Sequence, residues 1–298
     1  MLTFSKLGKK GNLGNQLFQL ASTLSLAKRY NQDCVFPYWE YEEYFESNLP
    51  HGNCPDCIQV NEEFYHYHDW NVSKGNYDLY GYLQSEKYFD QNLVRNTFNF
   101  KKEFLKDIRE KTGFTYNDNN ILISVRRGDF VHHPWFYQLS YKYYFTALTE
   151  NFPDWRNRKL IFTSDNIAYC KKHFSFLPNS YFLENLSAIE QLAFGIFCKD
   201  FIISNSTFSW WLAWLGEKKD SKIVVPIKNF RGKHAEETDE SDYFPERWSK
   251  FDHHRASISK RFLSLTIRGE IQSFKTFSRY LMQKLKEKSL KRIRKIKT

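Results

Sequence analysis

Residues 124–130 read SVRRGDF, directly after the apolar run ILI at 121–123 and ahead of a loop that begins VHHP. Arg126 and Arg127 carry permanent planar charges whose forks match phosphate oxygens two at a time. Asp129 could accept a proton or hold a neighbouring arginine in an ion pair, and the spacing leaves both open. A second cluster, SNSTFSWWLAWLG at 204–216, sets the hydroxyls of Ser206 and Thr207 at the start of a helical pattern, followed by Phe208. Those hydroxyls could cap the helix. The helix could equally turn its amide donors and positive dipole end toward an anion, and the two roles are compatible. A third cluster, TSDN at 163–166, puts Asp165 at the end of another apolar run. The stretch GNLGNQLF at 11–18 places Gly14 and Asn15 where a loop could close over a ligand, although it is neither GxGxxG nor GxxxxGK[ST].

The elements that position these clusters follow from periodicity. ILISVRR, KLIFTS, DFIISN and KIVVP predict strands, and YKYYFTALTENF, AIEQLAFGIFCK and SWWLAWLG predict the helices between them. At the start of the chain, TFSKLGKKG predicts a short strand and a glycine loop. A helix follows with Leu17, Leu20, Ala21, Leu24 and Ala27 on one face, and CVFP at 34–37 predicts the next strand. Such alternation argues for an α/β fold with parallel sheets covered on both faces. Ligands of these sheets sit outside the carboxyl ends of the strands. SVRRGD, TSDN and SNSTF all begin there, so three polar clusters should face one crevice. Trp210, Trp211 and Trp214 are expected in the core.

Composition bounds the rest. The 298 residues, 41 % hydrophobic and 18 % aromatic, suffice for one large domain or two ordinary ones. Of the 44 Lys and Arg and 34 Asp and Glu, 14 and two fall within 255–298. Residues 1–254 therefore hold 30 basic and 32 acidic side chains, and the net charge of +10 belongs to the tail. A near-neutral body offers no basic footprint for nucleic acid, which leaves a tail-mediated nucleic-acid-binding protein as the reading from a different class. No uninterrupted apolar stretch approaches a membrane span, and MLTFSKLGKKG lacks the apolar core of a signal peptide. A cytoplasmic location is expected, with all five cysteines reduced. CPDC at 54–57 has no second CxxC, so no metal site is expected. AEETDESD at 235–242 reads as a solvated loop, and the segment 36–90 stands out as rich in aromatics and acids.

Taken in order, GNLGNQLFQLA, GYLQSEKYF, SVRRGDF, FTSDN and SNSTFSWWLAWL resemble the α-1,2-fucosyltransferases of glycosyltransferase family 11, across residues 1 to about 248. The resemblance implies a GT-B-type fold of two Rossmann-like domains, 1–118 on the acceptor side and 119–250 on the donor side, with the donor site in the cleft. It implies an inverting, metal-independent galactoside α-1,2-fucosyltransferase without a cofactor. GDP-β-L-fucose would be the donor and a galactose-terminated glycan the acceptor; another nucleotide-sugar donor or linkage is the alternative. By the same resemblance Arg126 grips the donor diphosphate with support from Arg127, and Gly14 and Asn15 lie beside phosphate or fucose. Asp165 meets the nucleotide base, and Ser206, Thr207 and Phe208 line the phosphate and sugar. Asp129 is the catalytic carboxylate in the motif. The chain departs from the family's usual pattern at Ser124 for His, Asn166 for Asp, Asn12 for Gly, Phe130 for Tyr and Leu212 for Gly.

Residues 251–298 form a basic tail in which Ile267, Ile271, Phe274, Leu281 and Leu285 follow a helical stripe. A basic amphipathic helix suits an anionic membrane surface, which would place the enzyme peripherally on the inner face of a bacterial plasma membrane.

Overall fold

The computed structural model describes residues 1–114, 119–256 and scattered positions between Leu263 and Ser289. Its first half runs β1 (Leu2–Thr3), α1 (Leu13–Arg29), β2 (Cys34–Val35), β3 (Ile58–Asn61), β4 (Tyr77–Tyr80), α2 (Gln91–Thr97) and α3 (Lys102–Thr112). Its second half runs β5 (Asn120–Val125), α4 (Tyr141–Asn151), β6 (Lys159–Ser164), α5 (Ile167–Phe174), β7 (Ser180–Phe182) and α6 (Ala188–Phe194). It continues through β8 (Asp200–Ile203), α7 (Thr207–Gly216), β9 (Ile223–Pro226), α8 (Gly232–Glu237) and β10 (Ser249–Phe251).

All pairings in both sheets are parallel. The first sheet has the order β2-β1-β4-β3, the second β10-β9-β8-β5-β6-β7. Every residue of β5 is buried, as a central parallel strand with helices on both faces requires. The second sheet extends past residue 250 through β10, and His253 beyond it is still buried.

The halves share one apolar core. A single cluster joins Leu2, Leu17 and Phe18 of the first half to Ile203, Trp210 and Trp211 of the second, while a smaller cluster fills the opposite face of the second sheet. The seam is α1 against α7, with the Phe18 ring 4.6 Å from Trp210 and 5.1 Å from Trp211. The helix α7 is mostly apolar because all but its first turn and Leu215 is enclosed, and Trp210, Trp211 and Trp214 are fully buried. Polar ties reinforce the seam. Arg247 bonds Glu86 of the first half at 2.6 Å and Glu217 of the second at 2.7 Å.

The tail expectation falls mostly outside the described residues. Those described are helical, and Ile267, Ile271, Phe274, Leu281 and Leu285 among them have exposed side chains.

Candidate active site

Register explains the arginine loop. Val125 at the end of β5 pairs with Ser164 at the end of β6, so Arg126 and Asp165 leave adjacent strands side by side. The Arg127 amide donates to Asp165 Oδ1 at 2.9 Å, and Arg126 Nη1 lies 3.1 Å from Asp165 Oδ2. Only glycine fits next. Gly128 has φ +23°, and a Cβ there would stand 2.4 Å from Asp165 Oδ2. Arg126 Nη2 donates to Asp129 Oδ1 at 2.6 Å. These contacts engage two of the five guanidinium N–H groups, and the buried Nε has no hydrogen-bond partner among the described residues. Beneath the loop, Ser124 Oγ lies 2.7 Å from Ser209 Oγ, which lies 2.8 Å from Ser204 Oγ.

Two helix starts meet at the cleft. A Cβ on Gly14, in the first turn of α1, would sit 2.5 Å from the Phe208 amide nitrogen and 2.8 Å from Thr207 Oγ1. Neither N-cap residue, Asn12 for α1 or Ser206 for α7, caps its helix with its side chain. Two positive dipole ends therefore converge on one spot. The glycine loop ahead of α1 is held by glutamines of that helix. Gln16 Nε2 donates to the Gly11 carbonyl at 3.0 Å, and Gln19 Nε2 to the Lys10 carbonyl at 3.1 Å.

A cleft of about 810 Å³ lies between the halves, and a pocket of about 250 Å³ adjoins it between β5, β6 and α6. Arg126, Ser206 and Phe208 line both, so the arginine stands at their junction. Gly14, Asn15, Asp129 and Thr207 line the cleft, and Asp165 lines the pocket. Arg127 lines neither; its guanidinium lies 4.2 Å from the centre of the Tyr169 ring on α5.

Several cleft groups were not singled out from the sequence. Glu40, Tyr41, Tyr65, Tyr82 and Gln84 come from the first half. From the second half, Trp135, 56 % exposed, stacks on His234 at 5.2 Å, and Phe130 stacks on Phe136 at 4.1 Å. A hydrogen-bond chain crosses the cleft floor. Asn229 Nδ2 donates to the Tyr65 hydroxyl at 2.8 Å, Tyr65 to Gln84 Oε1 at 2.9 Å, and Gln84 Nε2 to Asn15 Oδ1 at 2.9 Å. Burial pushes the Tyr65 phenol well above its ordinary pKa, which keeps it a donor. For Glu40, Tyr41 and Tyr65 the only sequence signal is the aromatic and acidic density of 36–90, which gives no positions.

Two expectations are corrected. The acidic run is not simply solvated. Glu240 accepts the amides of Asn229 and Phe230 at 2.8 and 3.0 Å, and Asp242 accepts the Tyr67 amide at 2.8 Å, because the loop turns back over the cleft's edge. The cysteines are not all free thiols. Cys54 and Cys57 are paired, since the turn through Asp56 (φ +57°) brings their Cα atoms to 5.7 Å. Among the described residues no group of three or more His, Cys, Asp and Glu side chains is placed to hold a metal.

The profile of Glycosyl transferase family 11 matches residues 6–252. The chain is 29 % identical to the Escherichia coli O-antigen biosynthesis glycosyltransferase WbnK, over 53 % of this chain and 57 % of that one. It is 27 % identical to an Escherichia coli alpha-1,2-colitosyltransferase, over 60 % of this chain and 64 % of that one. The matched stretch thus spans less than two thirds of either relative. Among solved structures, POFUT1 in complex with GDP-fucose aligns with a TM-score of 0.48 at 12 % identity, covering 74 % of this chain and 96 % of that one.

Proposed function

The chain belongs to glycosyl transferase family 11, and on that premise we propose that it transfers L-fucose from GDP-β-L-fucose to the 2-hydroxyl of a terminal galactose, with inversion and without a metal. The observation that carries this reading is the position of Arg126 at the junction of the pocket and the cleft, beside the first turns of α1 and α7. The pocket takes the nucleoside, with Asp165 as a hydrogen-bond acceptor for the base. The diphosphate lies against the Arg126 guanidinium and the two helix starts. The cleft holds fucose and acceptor.

Charge grows on the diphosphate as the anomeric C–O bond breaks, and fixed donors already aimed at those oxygens stabilise that state without reorganising. Helix ends and a guanidinium do here what a cation does elsewhere. Arg127, held on Tyr169, supports the loop through its backbone. The exposed Trp135 ring offers a flat apolar face to the CH side of the acceptor sugar. Transfer to lactose, followed with EDTA present and compared with Arg126→Ala, tests this. Fucosyl-lactose made by wild type but not by the variant supports it; failure to bind GDP overturns it.

A second reading, transfer of another GDP-linked sugar, is favoured by the similarity to a colitosyltransferase. Competition among GDP-fucose, GDP-colitose and GDP-mannose separates the two. The proposal extends to location, with a cytoplasmic enzyme docked by its basic tail on anionic lipid at the inner face of a bacterial plasma membrane. Each basic residue near such a surface contributes about 1 kcal/mol. No helix among the described residues is long and apolar enough to cross a membrane. Vesicle binding at low salt that is lost at high salt, and lost on truncation after residue 256, supports the docking; equal binding by the truncated chain ends it.

A further inference from the structure

Inversion requires the acceptor hydroxyl to approach the anomeric carbon from the face opposite the diphosphate, so a group that takes its proton must stand across the cleft from Arg126. Of the cleft-lining groups able to accept a proton, Asp129 is committed to Arg126 at 2.6 Å on the leaving-group wall. His234 is on that wall too, its ring against Trp135 at 5.2 Å and Phe230 at 4.5 Å. The neighbouring His132 and His133 line neither cavity.

Glu40 differs on each count. It belongs to the first half, on the loop after β2, and lines the cleft with an exposed side chain that forms no ion pair among the described residues. Its backbone is nevertheless fixed. The preceding Trp39 is buried, its indole N–H donates to Gln16 Oε1 at 2.8 Å, and its ring stacks on Phe45 at 5.7 Å. Gln16 in turn holds the glycine loop. The same side chain thus positions the phosphate-facing loop and the segment that bears the carboxylate. A water-accessible carboxylate on a fixed backbone is what a general base requires. The Tyr41 phenol beside it is pushed up by burial first and by the Glu40 charge second, so it remains a donor to that carboxylate.

We propose that Glu40 is the catalytic base of the transfer. The assignment rests on the functional reading above. A Glu40 oxygen takes the proton of the acceptor hydroxyl and the freed oxygen bonds to the anomeric carbon. The anomeric C–O bond to the β-phosphate breaks, and its electron pair leaves with GDP. Nothing is oxidised or reduced, and the proton passes from Glu40 to solvent afterwards.

The test measures kcat, acceptor KM and GDP affinity for wild type, Glu40→Gln, Glu40→Ala and Glu40→Asp. A general base contributes about 10²–10⁴-fold, so Glu40→Gln should lose at least 10²-fold in kcat, with acceptor KM and GDP Kd within about threefold of wild type. Formate should restore part of the rate to Glu40→Ala and none to wild type, and Glu40→Asp should fall between, which a merely structural role would not give. A Glu40→Gln kcat within threefold of wild type overturns the assignment, as does a loss confined to acceptor KM or matched by lost GDP binding. A wild-type chain that moves no fucose to any galactoside overturns the functional reading and this assignment with it.

Discussion

On the second-half wall of the cleft, Arg126 and Asp165 stand together because Val125 pairs with Ser164 in neighbouring strands. On the first-half wall, Glu40 and Tyr41 follow a strand of only two residues and are placed by Trp39 and Gln16 instead. One wall inherits its geometry from sheet register, the other from side chains anchored on a helix. Register brings charges together in fixed pairs, which suits the recognition of a diphosphate common to many donors. Anchored loops can change residue by residue without disturbing a strand, which suits a variable acceptor. The register-built wall should therefore govern departure of the diphosphate, and the loop-built parts of the cleft the choice and approach of the acceptor, the loss of its proton included.

Arg126→Ala gives the largest expected effect. Removing a donor aimed at developing charge costs up to about 10³-fold in kcat, and Arg126→Lys should recover little because a point charge cannot replace the fork. A loss below tenfold in the transfer assay would erase the distinction between the walls. Gly14→Ala comes next, since its methyl would stand 2.5 Å from the Phe208 amide nitrogen and force the two helix starts apart. Overpacking of this kind costs about 1–3 kcal/mol. A lowered melting temperature and a GDP affinity reduced at least tenfold are expected by scanning calorimetry and titration.

Trp135→Ala sharpens the comparison because its ring stands on a loop of the second half, outside the strand ends. Acceptor KM should rise roughly tenfold while GDP Kd stays constant, in line with a stacking contribution of about 1–3 kcal/mol borrowed from base–aromatic contacts. An equal loss of GDP binding would assign the ring to the donor instead.

The smallest effect concerns Glu240. Burial raises its carboxyl pKa, against the opposing hydrogen bonds of Asn229 and Phe230. A carboxyl raised in the folded state contributes most below its unfolded pKa, and that contribution fades as pH rises through the folded value. Glu240→Gln keeps an oxygen for the two amides and stays neutral, so its melting temperature should match or exceed wild type at pH 8 and lose that advantage near pH 4. Glu240→Ala leaves both amides without an acceptor and should cost about 1–3 kcal/mol at either pH.

The unequal legibility of the two walls in the sequence has the same origin. ILISV, KLIFTS and DFII announced themselves by unbroken apolar runs, and the clusters at their ends converge as parallel strands demand. Where a side chain then points depends on neighbours that periodicity does not encode. Arg127 turns to Tyr169, away from the cleft, though it adjoins Arg126 in the chain. Glu40 and Trp135 sit in loops whose paths are set by contacts far off in sequence, Trp39 to Gln16 and Trp135 to His234. The acidic run departs from a solvated loop for a related reason. Composition gives the charge of Glu240 and Asp242 but not the orphan amides that draw them inward.

The shared core across α1 and α7 bears on how such enzymes diversify. Where each half carries a separate core, a donor half can be joined to a foreign acceptor half and both still fold. Here Phe18 and the α7 tryptophans interlock ring against ring, so a chimera joined between α3 and β5 must inherit both partners of every ring contact or lose the seam. On the proposed reading, new acceptor specificity is therefore more accessible through loop exchange at the cleft's rim than through recombination of halves.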